Sequence, residues 1–176
     1  ALGANVITNQ RIAAAFPTHH PLHPNHLNYR TTAEDEALIR EADVILNLDW
    51  LDFGGTLKAA GGVGAKIISV SMDDLNSNGW SFDHHVLPAV DLPILATPDS
   101  FVASALPQLP AGEKRTYSIP PSAPPTGSGV IDLVSLGTAV DAAIGDRAAT
   151  YVRLPIGWPA PTIRIDGPLD YIGNDG

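Results

Sequence analysis

Short apolar runs alternate along the chain with stretches whose apolar positions recur at helical spacing. "NVIT" (5–8) is a β-branched run that reads as a short buried strand. "TTAEDEALIREA" opens on two threonines followed by acids, with Thr31 and Glu34 at capping-box spacing, so a helix is expected over about 32–42. "DVILNL" (43–48) is apolar enough for a strand covered on both faces. The glycine-loosened "DFGGTLKAAGGVGA" (52–65) leaves room for one weak helical stretch, and "KIISVS" (66–71) is the next strand. "DLPILA" (91–96) reads as another strand. In "TPDSFVASALPQL" (97–109), Thr97 caps a helix, Pro98 takes its first position, and Phe101, Val102, Ala105 and Leu109 line one face.

Residues 110–129, "PAGEKRTYSIPPSAPPTGSG", shift abruptly to Pro, Gly and Ser, the composition of a linker. Beyond them "VIDLVSLGTAVDAAIG" places Leu133, Leu136, Val140 and Ile144 at helical spacing and stops at Gly145. "ATYVRL" (149–154) then reads as a strand. Strands alternating with helices through short loops predict an α/β fold, a Rossmann-like three-layer arrangement around a mostly parallel sheet. The expected organisation is a domain over 1–109, the linker, and a second region over 130–176. No fixed-period repeat is visible.

Composition narrows the functional classes. Nineteen acids against ten bases give a net charge of -9 without any cluster of Lys or Arg, which argues against nucleic acid and anionic membrane surfaces as partners. The absence of cysteine removes disulfides, thiolate zinc sites and a cysteine nucleophile, and suits a cytoplasmic protein. The apolar runs are far shorter than the roughly 18 to 20 residues of a membrane-spanning helix. The chain opens on Ala1 without methionine and closes on the turn-like "GNDG", which reads as an excerpt from something larger.

"FPTHHPLHPNHLNY" (16–29) holds four of the six histidines, at positions 19, 20, 23 and 26. Ligand pairs on a helix want spacing i, i+4 and on a strand i, i+2; the spacings here fit neither, and Pro21 and Pro24 break any helical frame, so no metal site is assigned. "GGVGA" (61–65) precedes a strand, whereas a phosphate-cradling glycine turn follows one, so these glycines are expected to end a helix. Glu34, Asp35 and Glu36 complement a helix dipole. Asp73 and Asp74 follow a strand, where acids in open α/β sheets can meet a ribose hydroxyl, although Asp also starts ordinary turns. His84 and His85 have no nucleophile partner, and no G-x-S-x-G elbow exists.

Taken in order, five segments resemble the thiamine diphosphate-dependent enzymes of the acetolactate synthase and benzoylformate decarboxylase type. "LGANVITNQRIAAAFPTHHPL" is similar to that family's strand and "fP..HPl" loop, with His20-Pro21 at the His-Pro step. "EADVILNL" resembles its "ADlvL..G" strand, "AKIISVSMDD" its "akvi.IDiDp" strand, and "VDLPILATPDSFVASAL" its "v.l.gD...vL..L" strand and helix. "DLVSLGTAVDAAIGDRAATYV" looks like the helix and strand that open the cofactor-diphosphate domain.

The resemblance implies the family's central domain plus the start of its third domain, in a parent that acts on 2-oxo acids as a transferase or lyase, with thiamine diphosphate and Mg2+. It implies as partners the remaining domains of the parent chain and other copies of it, as a dimer or tetramer. The family's activating glutamate and its G-D-G…Asn magnesium motif have no counterpart here, so no residue is assigned a catalytic role and the chain alone is expected to be inert. Some relatives bind FAD or ADP in the central domain through a G-x-R turn and the first Asp of "IDiDp". "LDWLD" (48–52) and Ser71 stand at those places, so weak or absent nucleotide binding is expected, with Trp50 and Asp73 flanking the crevice. A separate nucleotide- or small-ligand-binding α/β module remains the alternative. The family's first strand and helix have no counterpart either, so the next strand should carry an open edge, covered by residues 131–154 or by a second copy.

Overall fold

The computed structural model describes residues 2–25, 27–73, 87–112, 116 and 129–173. They fall into two compact units, one of residues 31–111 and one in which residues 2–30 join residues from 112 onward. Residues 2–30 thus pack with the C-terminal part of the chain.

The first unit is α/β. Helix α1 (Ala33–Glu41) leads into strand β1 (Val44–Leu48), helix α2 (Phe53–Ala59), strand β2 (Lys66–Ser71), strand β3 (Leu92–Leu95) and helix α3 (Pro98–Ala105), which runs on into a single 3-10 turn. The strands lie in the order β1-β2-β3, all parallel, with Val44 opposite Lys66 and Ile68 opposite Leu92. This is the Rossmann-like α/β class expected from the alternating pattern. Parallel neighbours need a crossover, and α2 supplies the one between β1 and β2.

Helix α1 begins one residue later than its sequence suggests. Thr32, not Thr31, is the N-cap: its hydroxyl accepts the Asp35 N–H and the Asp35 carboxylate accepts the Thr32 N–H. "TTAED" offers two overlapping cap pairs, and the one that buries Asp35 prevails. Helix α2 stops at Gly61 and Gly62, both with positive φ (83° and 90°), so these glycines end a helix as expected. Thr97 caps α3 with Pro98 at its start; Phe101, Ala105 and Leu109 are half-buried while Val102 is exposed. Among the described residues, Ile39, Ala60, Ile67 and Val70 are the buried apolar residues of this unit. Strand β1 departs from expectation: Val44, Leu46 and Leu48 are exposed, so among the described residues the face of the strand that carries them is not covered, while Ile45 and Asn47 on the other face are partly or fully buried.

The second unit is mostly irregular. Helix α4 (Leu133–Ile144) is capped by Asp132 and ends at Gly145, whose φ is 56°. Its buried face is Gly137 and Asp141, not the expected Leu133 and Leu136, which are exposed. Gly137 decides this, since a Cβ there would lie 2.6 Å from the Thr162 hydroxyl, so helix and chain approach at a contact only glycine permits. Leu27, Leu154, Ile163, Ile165 and Tyr171 form the core, with Ala14, Tyr151 and Trp158 against it.

Neither strand expected in this unit forms. "NVIT" is tied by the Val6 N–H to the Leu22 carbonyl (2.6 Å), and one isolated bridge, Asn9–Asn28, follows it. "ATYVRL" makes a single bridge, Tyr151–Tyr171, so it offers no strand to cover a sheet edge. In place of ladders, Thr18 ties the two ends of the chain together. Its N–H donates to the Ile165 carbonyl (2.8 Å), and its hydroxyl donates to the Ile163 carbonyl and accepts the Ile165 N–H (both 3.1 Å). Most of the proline-rich stretch, together with Asp74, His84 and His85, lies outside the described residues. Among the described residues no helix is long and apolar enough to cross a membrane.

Candidate functional site

In open parallel sheets, ligands gather at the carboxyl ends of the strands, where the βα turns present backbone and polar side chains. Here that place is the turn after β1 and the end of β2. Asn47, the one polar residue in "VILNL", is buried in β1; its amide donates to the Ser69 hydroxyl (2.9 Å) and its side-chain oxygen accepts the Trp50 N–H (2.9 Å). The chain then turns through Asp49 and Asp52, both left-handed at φ 56° and 58°, a conformation costing a non-glycine residue about 1–2 kcal/mol.

Both aspartates are tethered. The Asp49 N–H donates to the Val70 carbonyl (2.9 Å) and its carboxylate accepts the Ser71 hydroxyl (2.6 Å). The Asp52 carboxylate accepts the Gly55 N–H (3.1 Å) and caps α2; a Cβ at residue 55 would overlap that carboxylate. The Trp50 indole N–H donates to the Thr56 hydroxyl (2.8 Å), which donates to the Asp52 carbonyl (3.1 Å). The Asp73 N–H donates to the Ser71 hydroxyl (3.0 Å).

Trp50 and Asp73 thus stand at the carboxyl ends of neighbouring strands, Trp50 half-buried and Asp73 exposed, linked through Ser71 and Asp49. The groups around them bond one another. Asn47 and Ser69, which hold this turn, were not singled out from the sequence; the available signal was an amide inside an otherwise apolar strand.

The histidine loop belongs to the other unit, and its rings serve packing and turn closure. His23 is buried with its Nε2 2.9 Å from the Thr8 hydroxyl. The Phe16 ring meets His20 edge-on at 5.0 Å and stacks on His23 at 6.2 Å. His20 Nδ1 accepts the Leu22 N–H (3.1 Å), and the His23 N–H donates to the His20 carbonyl (2.8 Å). His26 lies outside the described residues. Nearby, Thr8, Asn9, Ile12, Phe16, Leu27 and Tyr171 enclose a cavity of about 10 Å³, room for a single water and no substrate.

Two further groups bear on chemistry. Asp141 and Arg164 form an ion pair at 2.6 Å, with side chains 10% and 18% exposed. Burial first, and the Asp141 charge second, push the Tyr151 phenol above its usual range. Among the described residues no group of three or more histidines, aspartates or glutamates is placed to hold a metal ion. No protein-family model, curated protein or solved structure matches the chain.

Proposed function

We propose that this chain is the central segment of a thiamine diphosphate-dependent enzyme of the acetolactate synthase type, joined to the start of its cofactor-diphosphate domain. Its role is structural: it performs no chemistry alone, and the groups that hold the cofactor and magnesium belong to other parts of a cytoplasmic, oligomeric parent acting on 2-oxo acids. When bound, the cofactor supplies the carbanion chemistry.

One observation carries this reading. The three parallel strands fall, in order, on the three segments that resemble the family's central-domain strands, at 44–48, 66–71 and 92–95. The turn at their carboxyl ends supports the scaffold role, because Asp49, Trp50, Asp52 and Ser71 are bonded to groups within the unit.

The test is expression of the complete reading frame that contains these residues, assayed with pyruvate, thiamine diphosphate and Mg2+. Carbon dioxide release by the long protein and none by the 176-residue chain is expected. Turnover by the short chain, or a complete frame lacking both the activating glutamate and G-D-G…Asn, contradicts the proposal. The alternative, a nucleotide-binding module, draws on the half-buried Trp50 beside the end of β2. Stoichiometric heat on titrating ADP or FAD into the chain at low micromolar concentration would favour it.

A further inference from the structure

We propose that Asp166–Gly167 is a latent isoaspartate site, held closed by the Asp170 carboxylate. This is independent of the cofactor reading.

The chemistry needs only the chain and water. At an Asp–Gly step the glycine nitrogen, giving up its proton, attacks the aspartate Cγ; the carboxyl C–O bond breaks, water leaves, and a cyclic imide forms. Water then adds back. Opening at the aspartate main-chain carbonyl routes the chain through Cβ and Cγ, which lengthens the backbone by a methylene at unchanged composition. Glycine favours the attack because no Cβ shields its nitrogen. Asp166–Gly167 is the one Asp–Gly step among the described residues, and Asp166 is exposed.

The surrounding geometry opposes that attack. The Gly167 N–H, on the nitrogen that would attack, donates to Asp170 Oδ2 (2.8 Å), and the Asp166 N–H donates to the same oxygen (2.8 Å). The Asp170 N–H donates back to the Gly167 carbonyl (3.1 Å). Successive amides converge on one oxygen only in a turn-like backbone, whereas the imide ring needs the Asp166 ψ rotated until Cβ eclipses the Gly167 nitrogen, which parts them. The Asp170 anion also opposes loss of the Gly167 proton, which would set two negative charges side by side. Position gives the lock its consequence. Ile165 is 3% exposed and its N–H donates to the Thr18 hydroxyl; Tyr171 is 1% exposed and its hydroxyl donates to the Gln10 carbonyl. A methylene added between them would force two core residues out of their close-packed places.

The test incubates the full chain at neutral pH beside a synthetic peptide of residues 162–173 and locates isoaspartate at position 166 by electron-transfer fragmentation. The peptide is expected to isomerise at least about tenfold faster than the folded chain, because hydrogen bonds to a charged acceptor must first break in the latter. Asp170→Ala with native circular dichroism should approach the peptide rate. Tyr171→Phe, which removes the bond to Gln10 and leaves Asp170 in place, should keep the rate of the unmodified chain. Where Asp170→Ala does not keep native circular dichroism, Asp170→Asn, with the same size and a neutral acceptor, replaces it, with a rate expected between those of chain and peptide. Equal rates for the peptide and the unmodified chain overturn the proposal without any variant. A natively folded Asp170 variant no faster than the unmodified chain, or a Tyr171→Phe chain as fast as Asp170→Ala, overturns it as well.

Discussion

At the scale of single residues, the second unit depends on a contact that periodicity hides. Asp141 occupies the inner face of α4, between positions the apolar pattern marks as core, and reaches Arg164 across 23 residues of sequence. Nothing local in "TAVDAAI" announces this, because the partner is chosen by the fold. Removing one member strands the other's charge in a poorly hydrated place, whereas replacing both with apolar groups is often tolerated. Asp141→Ala should lower the unfolding free energy by about 2–3 kcal/mol in urea titrations, and Asp141→Ala with Arg164→Met should recover most of that. The same Asp141→Ala change should bring the Tyr151 phenol titration down, since the carboxylate is one of the two causes that raise it.

At the scale of elements, the helices and sheet strands were legible where the signals are local. Thr97-Pro98, the paired glycines after α2, and the β-branched run of β2 each act within a few residues, and each stands where the sequence places it. What failed was burial. Val44, Leu46 and Leu48 look like core in sequence, and only the packing of the folded unit shows that their face of the strand is exposed. The cap of α4 gives a pH prediction. Hydrogen bonds from the Ser135 backbone and hydroxyl hold Asp132 below its ordinary 3.8, so its folded-state value lies below its unfolded one. Its contribution is therefore full above 3.8 and is lost as pH falls through the lower, folded value. Asp132→Asn keeps a neutral acceptor, so the stability difference between the unmodified chain and Asp132→Asn should shrink in acid denaturation between about pH 4 and pH 2. A difference that stays constant over that range contradicts the assignment.

At the scale of the whole molecule, the chain is discontinuous in a way its sequence does not announce. Residues 2–30 complete the unit that begins beyond residue 111, through Thr18 to Ile163 and Ile165, Ala14 to the Tyr171 carbonyl, and the Tyr171 hydroxyl to the Gln10 carbonyl. Contacts separated by about 150 positions carry no periodic signature, and the single bridges that replace strands carry none either. A protease site engineered into residues 113–128 should therefore leave two fragments that elute together from a sizing column. Separation of the fragments without denaturant contradicts the shared core. The account's central claim is that these residues are scaffold and that the cofactor's ligands lie elsewhere in the parent. Calorimetric titration of thiamine diphosphate with Mg2+ into the complete protein and into this chain tests it most directly. Stoichiometric binding to the complete protein and no binding heat with the chain is the predicted result; binding by the chain alone, or none by the complete protein, would contradict it.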